Sequence, residues 1–188
     1  MKNFLERNVA AILIILSAGV LFSSCLKDKD NNGEDVPAAG LMAFNLAPDQ
    51  QSMSIRLSGN SLTQQPLAYT NYTGTYQRIF VGDRQIQAFD YPDVNALTTS
   101  NYNFEQNKVY SLFIVGANDK YKNIVTHDDV DSTVISAGKT YIRYINAITD
   151  SVNKPTVTIT AGGTNVADEQ ADFAHVSTFA PVSAGDVA

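Results

Sequence analysis

The segment "MSIRLS" (residues 53–58) alternates without a break: Met53, Ile55 and Leu57 fall on one side, Ser54, Arg56 and Ser58 on the other. A period of two marks a half-buried strand, because successive side chains leave a pleated backbone on opposite faces. "TVTITA" (residues 156–161) repeats the pattern, with Val157, Ile159 and Ala161 set against threonines. "VYSLFIVG" (residues 109–116) is nearly all apolar and suits a central strand buried on both faces. "TYQRIFVGDRQIQAF" (residues 75–89) holds two strand-like runs around Gly82 and Asp83, which predicts a two-residue hairpin. Beyond residue 25 no stretch carries a convincing helical period. Short strands separated by turn signals predict an all-β fold, a sandwich of two sheets.

An internal repeat refines this. "AFNLAPD" (residues 43–49) aligns with "YINAITD" (residues 144–150), keeping an asparagine and an aspartate at equal spacing. "SIRLSG" then aligns with "TVTITAGG", and residues 69–83 align with residues 173–186 across one gap. The offset is roughly 100 residues, the size of one immunoglobulin-like unit. Residues 40–139 are read as a complete first unit and 140–188 as a partial second one. Gly185-Asp186 matches Gly82-Asp83, and little sequence follows it. The second unit is therefore expected to lack covering strands, either through truncation or because it accepts a strand from another subunit.

The N-terminal segment says where the protein goes. Lys2 and Arg7 precede an apolar run from Val9 to Phe22, then come Ser23, Ser24 and Cys25, the one cysteine of the chain. That order of charge, apolar core and small residues reads as a secretory signal peptide over residues 1–24. The run is shorter than the roughly 20 apolar residues a membrane span needs. Small residues ahead of Cys25 resemble the lipobox of bacterial lipoproteins, with Phe22 in place of the usual leucine. A thiol there can accept acyl chains, each buried methylene contributing about 0.8 kcal/mol to membrane attachment. Residues 25–39 are charged, rich in Asp and Asn, and expected to be a flexible tether. Lys27, Asp28, Lys29 and Asp30 resemble the surface-export signal of Bacteroidota lipoproteins. The expected address is the outer membrane, held by an N-terminal lipid and facing the exterior.

The net charge of −6 argues against nucleic acid, which needs a basic footprint. His127 lies in "THDDVDSTV" beside Asp128, Asp129 and Asp131. Those aspartates are weak candidates for a calcium site, since the glycine and closing glutamate of an EF-hand are missing; crowded carboxylates on a solvated loop are the plainer reading. No nucleophile elbow, phosphate loop or paired-histidine zinc motif occurs, so neither catalysis nor a cofactor is expected. The preferred contact surface is "DYPDVNALTTSNYNFEQNK" (residues 90–108), read as a long polar loop carrying Tyr91, Tyr102 and Phe104 toward a glycan or protein ligand. Its alternative is a loop whose aromatics fold back onto the sandwich.

"FNLAPD", the "GTYQRIFVGD" block, "YSLFIVG" and "ISAGKTYIRYINAITDS", in that order, resemble the domain of unknown function 4397 family. The resemblance implies a bacterial envelope lipoprotein with immunoglobulin-like β-sandwich repeats and supplies no catalytic residues. Together these readings predict a surface-displayed, non-catalytic binding or adhesion module. The alternative is a fimbrillin-like structural subunit that assembles by strand exchange.

Overall fold

The computed structural model describes residues 36–92, 95–128, 139–150 and 152–183. Among these residues there are strands and no helix, in accord with the all-β expectation. The first sheet is assembled from β1 (Ala38–Leu46), β5 (Gln77–Phe80), β8 (Val109–Val115) and β9 (Lys122–His127), in the order β5-β1-β8-β9. The second sheet holds β2 (Ser52–Leu57), β3 (Asn60–Ser61), β6 (Gly82–Asp90) and β7 (Ala96–Phe104) in the order β3-β2-β6-β7, with β4 (Leu67–Ala68) also paired to β2. Within the first sheet β1 runs parallel to β8, from Gly40↔Val109 to Leu46↔Val115; its pairing with β5 is antiparallel.

The two sheets enclose one core. Leu41, Ala43, Leu112 and Ile114 come from the first sheet, and Met53, Ile55, Ile86 and Phe104 from the second; all are buried. The alternation in β2 is obeyed, with Met53, Ile55 and Leu57 inward and Arg56 outward beneath the Phe89 ring. Strand β8 is buried on both faces from Tyr110 onward, as its unbroken apolar run predicts. Asn123 of β9 clips the sheets together by donating to Ile86 O and Ser100 Oγ.

Two expectations are corrected. Residues 77–90 are not a hairpin: β5 belongs to the first sheet and β6 to the second. Only Val81 separates them, too little for a hairpin loop, and the +87° φ of Gly82 turns the chain across the sandwich. Nor are residues 90–108 a long loop. Nine of them form β7, paired with β6 from Gly82↔Phe104 to Phe89↔Ala96. Threonine and tyrosine in "ALTTSNYNF" suit a pleated, half-exposed surface, and this propensity outweighs the segment's polarity.

The second half repeats the first in register. β10 (Lys139–Ile142) pairs with β13 (Ala180–Ser183) from Lys139↔Ser183 to Ile142↔Ala180, as β1 pairs with β5 from Ala38↔Phe80 to Leu41↔Gln77. β11 (Thr156–Ala161) turns through Gly162 and Gly163 into β12 (Thr164–Gln170), as β2 turns through Ser58 and Gly59 into β3. Among the described residues of the second half there are counterparts for β1, β2, β3 and β5 and none for β6 to β9.

Candidate functional site

Asn45 and Asn146 show how the repeat positions its surface. The Asn45 amide donates to Gln50 O and Leu67 O, and its Oδ1 accepts from Ala47 N–H. Asn146 donates to Ala171 O and Asp172 O and accepts from Ile148 N–H. The Asn45 main chain bonds Thr70 N–H and Asn71 O, and that of Asn146 bonds Ala174 N–H and His175 O. Thr70 and Ala174 both take positive φ, 64° and 70°. Both asparagines are buried, so each hydrogen bond satisfies a group that water does not reach.

In the first half this scaffold delivers Tyr72 opposite Phe44 of β1. Thr73 fixes it from the next position, its N–H donating to Ala43 O and its Oγ1 accepting from Ala43 N–H at 3.2 Å. The Tyr72 ring stacks on Phe44, with centroids 5.4 Å apart and planes at 15°, and Phe44 stacks on Phe113 at 4.8 Å. Tyr72 nevertheless remains 51% exposed, which leaves ring surface open to solvent.

Beside Tyr72 lies an open cleft of ≈ 930 Å³. One wall is the β3–β4 connection, including Thr63, Gln64, Gln65 and Pro66; the other includes Asn71, Thr73 and Gln77. The connection leaves the sheet because the step from Arg56 to Met53 on β2 faces the longer step from Ser61 to Leu67. Pro66 has no N–H to give to a ladder, and Thr63 Oγ1 closes the loop by donating to Gln65 O at 2.6 Å. Among the described residues the lining contains no His, Cys, Asp, Glu, Lys or Arg. Such a surface can stack and exchange hydrogen bonds with a ligand, and it offers no group that titrates near neutral pH. A hollow of ≈ 290 Å³ adjoins it through Ser61, Leu62 and Gln77 and reaches Phe80, which is 61% exposed.

A second polar cluster is closed. Asp128 follows β9 with its side chain fully buried, its Oδ1 meeting Arg143 Nη2 and its Oδ2 accepting from Tyr76 Oη at 2.7 Å and Ser111 Oγ at 2.8 Å. The Arg143 guanidinium also covers the rings of Phe113 and Phe179. Burial raises the Tyr76 hydroxyl to about 12, helped by its hydrogen bond to Asp128 and that carboxylate's charge, while Arg143 pulls the other way. The cluster fastens the chain after β10 to the outer face of the first sheet. Asp128 is therefore no part of a solvated acidic loop, because its oxygens are engaged by protein donors; Asp129 and Asp131 lie outside the described residues. Among the described residues no three His, Cys, Asp or Glu side chains converge to hold a metal.

Of the aromatics assigned to a contact loop, Phe104 is in the core and packs edge-on to Tyr110 at 5.1 Å. Tyr102 packs against the same pair. Both fold back onto the sandwich because strand pairing points them there. Tyr91 alone is well exposed, at a turn away from the cleft lining. Cys25, Lys27, Asp28, Lys29 and Asp30 lie outside the described residues. Tyr72 and the β3–β4 connection were not anticipated. Their signal is an uncharged polar run, "SLTQQP", placed against the tyrosine-rich "YTNYTGTY".

Fold and site together define an all-β sandwich domain with an internal repeat and an uncharged cleft beside an aromatic stack. The chain belongs to the family described as Domain of unknown function (DUF4397), which matches residues 39–153 and so spans β1 to β10 and the Asn146 turn. No curated protein matches the chain.

Proposed function

We propose that this chain is an envelope lipoprotein held by acylated Cys25, carried to the cell surface by the Lys27–Asp30 signal, and acting there as a non-catalytic binding module. The observation that carries the binding role is the cleft beside Tyr72. Its aromatic ring is held in place before any ligand arrives, so binding need not order that ring, and ordering is a main term opposing association. Its volume lies within the roughly 300–1,000 Å³ of ordinary ligand clefts.

Whole cells displaying wild-type protein, Tyr72→Ala protein or none provide the test. Their retention is compared on surfaces coated with mucus polymer, plant cell-wall polymer or serum protein. Retention above the protein-free strain on at least one surface, falling in Tyr72→Ala cells, is the expected result. Equal retention by all three strains on every surface overturns the reading.

A further inference from the structure

We infer that the cleft beside Tyr72 takes a neutral polysaccharide, with a sugar ring stacked on the tyrosine; this rests on the binding role proposed above and names its ligand class. The first argument is chemical. The carboxamides of Gln64, Gln65 and Asn71 can both donate and accept, and Thr63 Oγ1, whose proton goes to Gln65 O, can still accept, which matches the dense hydroxyls of a sugar. With no lysine or arginine in its own lining, the cleft offers a sulfate, phosphate or uronate no direct ion pair to offset desolvation; the arginines nearby, Arg78 and Arg84, line the adjoining hollow. The nearby Arg84 is engaged, donating to Phe80 O and Val81 O.

The second argument comes from the repeat, which gives the molecule its own control. Positions that hold the scaffold keep their chemistry: Asn45 answers to Asn146, and Thr73 to Ser177, whose Oγ accepts from Tyr144 N–H. Thr73 also lines the cleft, but the aromatic platform and the looped-out wall beside it are not kept. The bridged pair Phe44 and Tyr72 becomes Ile145 and Val176. The stretch that loops out between β3 and β4 becomes the continuous strand β12, paired along β11 with a single register shift. Aromatic platform and open wall thus occur together in the first half and are both replaced in the second, so the shared asparagine and hydroxyl scaffold requires neither.

The third argument separates sugar from peptide. An extended peptide would seek a free strand edge. Here the β3–β4 edge is interrupted by Leu62–Pro66, and β5 is four residues long with Phe80 O already bonded to Arg84. A ring stacking on Tyr72 needs neither edge.

The experiment is affinity electrophoresis of the full-length protein in detergent through gels holding a neutral β-glucan, a neutral α-mannan, polygalacturonate or unfolded casein. Retardation by at least one neutral polymer, unchanged in high salt, is expected. Tyr72→Ala should weaken it by about tenfold or more, as loss of a central aromatic contact does. Tyr72→Phe should stay near wild type. Gln64→Ala/Gln65→Ala, at exposed positions where truncation removes no core packing, should also weaken it. Retardation by neither neutral polymer overturns the inference, as does binding confined to polygalacturonate or casein, or wild-type binding in both the Tyr72→Ala and the glutamine variants. If the gels fail while Tyr72-dependent cell retention persists, the sugar assignment falls and the binding role stands.

Discussion

Replacing Arg143 by methionine tests whether the buried cluster fastens the two halves of the repeat. Methionine keeps apolar cover over Phe113 and Phe179 and removes the charge. The Asp128 carboxylate, fully buried, would then be left with the Tyr76 and Ser111 hydroxyls as its side-chain donors. Breaking a buried pair from one side destabilises by about 3–5 kcal/mol, because the remaining charge is stranded. In a domain of this size that lowers the melting temperature by roughly 10 °C. The measurement is thermal melting of the full-length chain by circular dichroism at neutral pH, alongside Asp128→Asn and the double variant. The double variant should be markedly more stable than the sum of the single losses, since it strands no charge. An Arg143→Met protein melting within about 2 °C of wild type would show that water screens the pair and that the fastening lies elsewhere.

Further outcomes are expected. Tyr76, held at about 12 against an ordinary 10, keeps its proton in the folded chain after the unfolded chain has lost it, so stability falls as pH rises from 10 toward 12. Asp128→Asn should move the Tyr76 titration down but not to 10, because burial is the larger cause; ring-carbon NMR shifts against pH read this, and an unmoved titration refutes the contact. Ile55→Asp should cost more than about 4 kcal/mol in urea unfolding by placing an unpaired charge in the core, whereas Arg56→Asp should lose about 1 kcal/mol with its contact to Phe89; equal losses would contradict the strand register. Cys25→Ala should shift the protein from the detergent to the aqueous phase on partitioning, and alanine at Lys27, Asp28 and Asp30 should cut protease access on whole cells at constant total protein. Retention in the detergent phase, or unchanged surface cleavage, would refute the anchor or the export signal respectively.

What the sequence revealed of the fold follows from how locally each feature is determined. The alternation in β2 and the apolar run of β8 depend on two faces of a single strand, so Met53, Ile55, Leu57 and Ile114 could be assigned inward without knowing their neighbours. Strand partnership is not local. The run "RIFVGDRQ" has the composition of a hairpin, yet β5 is drawn to β1 and β6 to β2, and one glycine at positive φ serves a crossing as readily as a turn. Segment 96–104 failed for the opposite reason: its polarity is that of a loop, and its pairing with β6 decides its state.

The site was hidden by the same division. Phe104 and Tyr72 are both aromatic residues in polar surroundings, and nothing local separates them. Phe104 is drawn inward because its strand ends over Tyr110; Tyr72 is held outward because Thr70, Asn71 and Thr73 bond to the main chain of Ala43 and Asn45. For Tyr72 the repeat adds a comparison once its halves are aligned on the hydrogen bonds; Phe104, on β7, has no counterpart among the described residues of the second half. A position that recurs with its bonds, such as Asn45 with Asn146, is explained by the scaffold. A position whose backbone bonds recur while its side chain changes, such as Tyr72 with Val176, is free of the scaffold's demands. An aromatic ring at such a position, half exposed and stacked from behind, fits surface contact better than folding, since burying it would stabilise the chain more than exposing it does. The cleft therefore carries the functional reading on grounds independent of its size.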